Sequence, residues 1–412
     1  MMMKKILMIG LLLGASACGL MAQTKQLDYK FVTFNGDSTV TIQFKAPQTA
    51  KSVQIGGDFL PYKLVTHPYY GTHEEFPPQE MTKGADGIWS YRSGILKADL
   101  YKYYFIVDGT PCLDNNNLYV MRGAGGGAPA DEHYFITPYG VAENYIEQNV
   151  QHGTVSARWY YSDHFKVNRR MIVYTPAGYE TSSDSYPVLY VLHGSSERED
   201  AWVEQGRVVQ IMDNLIAQGK CKPMIVVMPN GDVESQAAYQ LMNFDNSQQP
   251  DGCDVQNRAA KNPNIDYYEY ERYFPEIIKF IDANYRTVAN KANRAICGVS
   301  MGGRNAMNVP RLNRNTIGWV GLFSPALEPQ IHFPNKKYDD EIINSLRQEA
   351  QDGVNLYWIG VGPHDLQWKT NQPFRAILDK VGMKYRFNPS QGAHTYNNWR
   401  IYLIDFASRL FK

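Results

Sequence analysis

The run Gly298-Val299-Ser300-Met301-Gly302 places a serine with a glycine two positions away on either side. An apolar β-like run precedes it and a helix-compatible stretch follows. A serine so placed sits on a sharp strand-to-helix turn that exposes its hydroxyl at a helix N-terminus. Dipole and backbone N–H groups there favour an oxyanion, so the chemistry on offer is nucleophilic acyl transfer. By itself the pentapeptide is also an ordinary glycine-rich turn; a base and an acid in the right order give it chemical meaning. Of nine histidines, His394 is best placed, in Ser390-Gln391-Gly392-Ala393-His394-Thr395, after the last β-like run and before a C-terminal helix that includes Trp399 to Phe411. The acid that orients it belongs between Ser300 and His394, where a strand ends. Asp365 fits, leaving the run Asn355 to Val361 through Gly360-Val361-Gly362-Pro363-His364-Asp365. Glu328 and Asp352 are its rivals, and His364 reads as a neighbour. The oxyanion needs two N–H donors. Met301 supplies one and Ser195 the other, from the loop His193-Gly194-Ser195-Ser196 after the run Val188 to Leu192; His193 itself reads as structural.

Positioning these groups requires strands that end together. From about Val150 onward, apolar runs at Arg170–Thr175, Val188–Leu192, Met224–Met228, Arg294–Cys297, Ile317–Phe323, Asn355–Val361 and Lys384–Phe387 alternate with amphipathic stretches. The stretches are marked by Val208, Ile211, Met212 and Leu215, and by Tyr270, Phe274, Ile277 and Ile281, with Pro275 opening or kinking the second. Such alternation predicts a doubly wound, mostly parallel sheet covered on both faces, with ligands bound beyond its carboxyl ends. Residues 229–265 are polar and aperiodic. A loop that long in a compact domain is functional or disordered, and it is a candidate wall for the substrate, as are Trp202 and Ser196.

Residues 23–140 have a different texture. Thr39 to Phe44 alternates with period two, Asp86-Gly87 precedes Ile88 to Tyr91, and Leu100 to Val107 ends at Asp108-Gly109. Short strands and turns without a useful amphipathic helix predict a β-sandwich. Trp89 and the stripe Tyr101, Tyr103, Phe105 read as its core. Residues 141–149 read as a linker to the catalytic domain, 150–412. Because every catalytic candidate falls in the second domain, the first is expected to be dispensable for a small ester.

Composition narrows the partners. Lys+Arg and Asp+Glu are both 41, giving zero net charge; a dominant nucleic-acid surface would need a basic excess. Five cysteines are too few for a disulfide scaffold. No CxxC pair, phosphate loop or dinucleotide fingerprint appears, so no cofactor is implied. His67, His73 and Glu74 lack metal-ligand spacing. The N-terminus, with Lys4, Lys5, the apolar Ile6–Leu13 and the small residues Gly14–Ala17, predicts an export signal. Cleavage after Ala22 gives a signal of residues 1–22; alternatively Ala15-Ser16-Ala17-Cys18 serves as a lipobox with a lipid anchor on Cys18. No run approaches a membrane span. The expected location is the periplasm or the cell surface.

From His152 to Lys412 the chain resembles the esterase D-like branch of the α/β-hydrolases, closest to the feruloyl and acetyl-xylan esterases of carbohydrate esterase family 1. The residues that carry the likeness are Arg170–Tyr179, Leu192-His193-Gly194, Met228-Pro229-Asn230-Gly231, Gly298–Gly303, Gly360-Val361-Gly362 with Asp365, and Gly392–Thr395 with Trp399. The resemblance implies Ser300, Asp365 and His394 as a triad, and ester-linked acyl groups on plant cell-wall xylan as substrate. Ala393 and Tyr396 depart from the family's usual Gly and Trp. Val53–Asp58, Asp86–Trp89 and Tyr103–Gly109 resemble the immunoglobulin-like modules, akin to glycogen-branching-type carbohydrate-binding modules, that precede many such esterases. The whole is thus expected to be an immunoglobulin-like sandwich followed by an α/β-hydrolase domain. A siderophore esterase of the enterochelin type and a non-catalytic glycan-binding protein are the alternative readings.

Overall fold

The computed structural model describes residues 29–67, 71–122, 131–195, 197–231, 268–327 and 340–412. From Thr154 onward eight strands form one sheet: β1 (Thr154–Ser162), β2 (Val167–Thr175), β3 (Val188–Leu192), β4 (Ile225–Pro229), β5 (Arg294–Val299), β6 (Trp319–Phe323), β7 (Leu356–Val361) and β8 (Arg386–Pro389). Their spatial order is β1-β2-β4-β3-β5-β6-β7-β8. β1 and β2 are antiparallel and β2 pairs antiparallel with β4; all pairs from β4 to β8 are parallel. The chain runs outward from β3 to β4 on one side and from β5 to β8 on the other. The crevice of an open α/β sheet opens at that reversal, between β3 and β5.

Every residue of β3, β4, β5 and β6 is buried, which explains their unbroken apolar runs. Successive side chains serve opposite faces. Leu189, Val191, Val226, Cys297 and Val299 pack with α2 (Val208–Ala217) on one side. Val188, Tyr190, Ile225, Val227 and Ile296 pack on the other with α4 (Pro275–Asn284). In chain order, α1 (Ala201–Glu204) precedes α2, α3 (Glu269–Tyr273) precedes α4, and α5 (Met301–Leu312), α6 (Asp340–Asp352), α7 (Trp368–Val381) and α8 (Tyr396–Ala407) follow. The helix expected over Tyr270–Ile281 is two, because the chain restarts at Pro275 as the first residue of α4.

Among the described residues the N-terminal part holds two larger antiparallel sheets and a separate two-stranded one, Lys63–His67 with Gly71–Glu75. Of the larger two, one runs Val32–Phe34, Val40–Phe44, Trp89–Arg92, Thr82–Lys83; the other runs Val120–Arg122, Asp131–Ile136, Leu100–Val107, Val53–Gly57, Gln79–Glu80. Their inner residues share one core that includes Ile42, Phe44, Ile55, Trp89, Tyr101, Tyr103 and Phe105. These aromatics are therefore core, as their alternation predicts.

The two parts are packed together. Leu100, Met121, Ala142 and Tyr145 belong to the same apolar cluster as Trp202, Tyr402 and Phe406. Residues 141–149, read as a linker, begin as a short 3₁₀ turn followed by the fully buried Tyr145. Asn214 donates to the carbonyls of Asn144 and Ile146, both at 3.0 Å. Arg400, on α8 and 1% exposed, donates to Asp99 Oδ1 at 2.8 Å, and Tyr145 Oη donates to the same oxygen at 2.9 Å. This packing bears directly on the expectation of a dispensable first domain. Removing residues up to Asp99 would strip a buried guanidinium of its counter-charge, a large cost.

Candidate active site

Ser300 lies between β5 and α5 with φ 53° and ψ −114°, a conformation that costs a non-glycine residue about 1–3 kcal/mol. The surroundings enforce it. Ser300 N donates to Phe323 O on β6 at 3.0 Å, and Ser300 O accepts from Arg304 N at 3.1 Å and Ala326 N at 2.9 Å. A Cβ at Gly298 would fall 2.4 Å from Gly302 O, and one at Gly302 would fall 2.5 Å from His193 O. Both glycines are thus required by close backbone approach, as the spacing implies. The Met301 N–H stands at the first position of α5.

His394 lies between β8 and α8. Its Nδ1 is 2.9 Å from Asp365 Oδ1. A carboxylate only accepts, so Nδ1 carries the proton and Nε2 is left as the base. Trp399 meets the ring edge-on at 5.0 Å. Asp365 is 4% exposed, and its Oδ1 also accepts the Gln367 N–H at 2.8 Å. The turn before it meets the histidine loop directly: a Cβ at Gly362 would sit 2.0 Å from Gly392 O. That contact gives the Gly360-Val361-Gly362 run its function. No hydrogen bond joins Ser300 Oγ to His394 among the described residues; such bonds often tighten only around substrate.

Of the rivals for the acid, Asp352 is placed away from His394. Asp352 closes α6, at the opposite end of β7 from Asp365, and is held by Arg314 through two bonds of 2.8 and 2.7 Å. The Arg314 bond holds its carboxyl below the ordinary range. Glu328 lies outside the described residues, as do Ser196 and the segment 232–267.

The candidate oxyanion loop is braced by His193 and Glu197. His193, 2% exposed, accepts the Gly231 N–H on Nε2 at 2.8 Å, so its Nδ1–H donates to Gly194 O at 2.8 Å. The Gly194 N–H is taken by Glu197 Oε2 at 2.7 Å. Ser195 is exposed, and its N–H has no partner among the described residues. Behind the loop, buried Glu199 pairs with Arg170 and accepts from Asn230 Nδ2 at 2.8 Å. Sequence reasoning missed Glu197 and Glu199. Their signal was the run Glu197-Arg198-Glu199-Asp200 directly after a glycine turn, too charged for a loop destined to be half-buried.

Trp202 is corrected. It is 1% exposed, donates its indole N–H to Leu192 O at 3.1 Å, and packs edge-on against Phe323 and Tyr396. A side chain with no free surface offers none to substrate; it anchors the strand end instead. Among the described residues no cluster of three or more His, Cys, Asp or Glu could hold a metal, and no helix is long and apolar enough to cross a membrane.

The chain matches the family model described as "Putative esterase" over residues 162–409. It is 28% identical over 343 residues to an endo-1,4-beta-xylanase/feruloyl esterase of Xylanibacter ruminicola, covering 81% of this chain and 41% of that protein. It is also 28% identical over 249 residues to esterase Rv1288 of Mycobacterium tuberculosis, covering 60% and 45%. The chain thus spans less than half the length of these curated relatives. Among solved structures, a ferulic acid esterase of Anaeromyces mucronatus bound to ferulic acid superposes with a TM-score of 0.50 at 23% identity, over 66% of this chain and 96% of that one. The enterobactin esterase of Shigella flexneri superposes with a TM-score of 0.59 at 15% identity, over 90% and 92%. These structural likenesses speak for the fold. The family match spans most of the chain and contains both the serine elbow and the histidine loop: the protein belongs to the esterase family, built on the α/β-hydrolase fold.

Proposed function

We propose that the protein is an exported serine esterase that removes feruloyl or acetyl groups from plant cell-wall xylan or its oligosaccharides. The observation that carries this is the 2.9 Å bond from His394 Nδ1 to a buried Asp365, beside a serine held in an elbow conformation. His394 Nε2 takes the proton as Ser300 Oγ attacks the ester carbonyl. The Met301 and Ser195 N–H groups hold the oxyanion. The bond to the sugar oxygen breaks and Nε2 returns the proton to that oxygen. Water, deprotonated by His394, then splits the acyl-enzyme; the acid leaves and Ser300 regains its proton. No cofactor enters. The feruloyl esterase relative supports the substrate class, and the basic–apolar–small order of residues 1–22 supports export. The N-terminal sheets are proposed to be an immunoglobulin-like, carbohydrate-binding-type module.

The test is a panel of methyl ferulate, acetylated xylan and p-nitrophenyl acetate with the Ser300→Ala variant. Ser300→Ala should lose about 10⁶ in kcat, as for triad serines generally, with an unchanged circular dichroism spectrum. Retention of more than a few per cent would overturn the assignment. The two-part likeness to an enterobactin esterase favours one second reading, a siderophore esterase. Hydrolysis of a catecholate trilactone with no activity on the xylan-type esters would establish it instead.

A further inference from the structure

We infer that Glu197 is a positioning residue that locks the oxyanion loop to the catalytic-histidine loop through Tyr396. The inference rests on the esterase reading of the site. One carboxylate oxygen, Glu197 Oε2, accepts the Gly194 N–H at 2.7 Å and the Tyr396 Oη–H at 2.9 Å. Gly194 immediately precedes Ser195, the proposed oxyanion donor. Tyr396 opens α8, two residues after His394. The bridge therefore joins two segments 199 residues apart in sequence, one holding the oxyanion donor and the other the base.

The geometry leaves Tyr396 little freedom. It is 8% exposed, with Trp202 edge-on at 5.5 Å and Trp399 edge-on at 4.9 Å. Trp399 also meets the His394 ring, so the same aromatic corner fixes the phenol and the imidazole. Burial and the adjacent carboxylate keep the phenol protonated, as donor. Hydrogen bonds to an ionised acceptor are about twice as strong as neutral ones. A second tie lies one turn along α8, where Arg400 donates to Gln205 O at 2.7 Å, just beyond α1. Oxyanion donors are placed about 2.7–3.1 Å from the developing charge, and misplacement by about 1 Å can cost 10²-fold. Loosening this bridge should therefore reduce turnover without weakening substrate binding.

The experiment measures kcat and KM on p-nitrophenyl acetate and methyl ferulate for Glu197→Ala, Glu197→Gln, Tyr396→Phe and the double variant Glu197→Ala/Tyr396→Phe, with melting temperatures for each. We expect Glu197→Ala and Tyr396→Phe to lower kcat about 10- to 100-fold with KM changed less than about threefold. Glu197→Gln, which keeps an acceptor oxygen, should recover much of the loss. The double variant should be no worse than Glu197→Ala, because both remove one bridge. Full kcat with only a lowered melting temperature, a loss confined to KM, or losses that multiply would each overturn the inference. If Glu197→Ala does not fold, Tyr396→Phe, which deletes a single oxygen, decides by the same criteria. Ser300→Ala in the same assays separates the two levels. An active Ser300→Ala refutes the esterase reading itself, whereas an inactive Ser300→Ala beside a fully active Tyr396→Phe refutes only the bridge.

Discussion

Asp365 works through one oxygen. Oδ1 takes both the Gln367 N–H and the His394 Nδ1–H, while Oδ2 is buried without a hydrogen-bond partner among the described residues. Replacing Asp365 with Asn keeps the shape but offers an amide donor to Nδ1. The ring then turns to the tautomer whose Nε2 cannot accept from Ser300. Turnover of methyl ferulate should fall by about 10⁴; near-native kcat in Asp365→Asn, with a crippled Glu328→Gln, would move the acid to the end of β6. The His394–Asp365 pair and the strained turn at Ser300 were legible because the chemistry expected of them demands residue types in a fixed order, each at a strand end. Glu197 was not. Its bonds cross between distant segments, and nothing in the local run says which backbone N–H or phenol a carboxylate will meet. Trp202 was misread for a related reason: a tryptophan near a catalytic loop serves the wall or the core equally well until its neighbours are known.

At the scale of elements, the central strands were the most readable, since burial on both faces leaves an unmistakable apolar run. β1 was missed. It is an edge strand whose alternation is blurred, with Trp159 and Tyr161 about half exposed on the outer face. The helices hide a buried acid that composition cannot reveal. Glu349 on α6 is 5% exposed and neither carboxyl oxygen has a hydrogen-bond partner among the described residues. Burial raises its carboxyl from the ordinary 4.5 to about 8. The folded state therefore keeps a proton that the unfolded chain releases above 4.5. Its contribution to stability is complete below that value and is lost as pH rises towards 8. Glu349→Gln removes the proton exchange. Between pH 5 and pH 8.5 the melting temperature of the wild type should fall further than that of Glu349→Gln. Parallel curves would mean that Glu349 is charged in the fold.

Over the whole molecule, two textures in the sequence correctly announced two kinds of layer, but texture carries no information about how layers dock. Arg400 was one more basic residue on an amphipathic helix until Asp99 and Tyr145 appeared beside it. Arg400→Ala leaves Asp99 facing a buried vacancy in the charge pattern and should cost about 3–5 kcal/mol, read as a lowered melting temperature. A chain begun near residue 145 should lose activity on p-nitrophenyl acetate and on feruloylated arabinoxylan alike. Full activity of a folded truncation on the small ester would show that the docking is ornamental. The shared cluster of Leu100, Met121 and Tyr145 with Trp202 and Phe406 reaches further than the active site. A module on a flexible tether raises the local concentration of a polymer by an amount set by tether length. A module fused to the enzyme through a common core instead behaves as a ruler, with any glycan contact on it held at one fixed distance from the serine. The same fusion makes the two parts melt as one cooperative unit, so calorimetry should record a single endotherm where a tethered pair would give two.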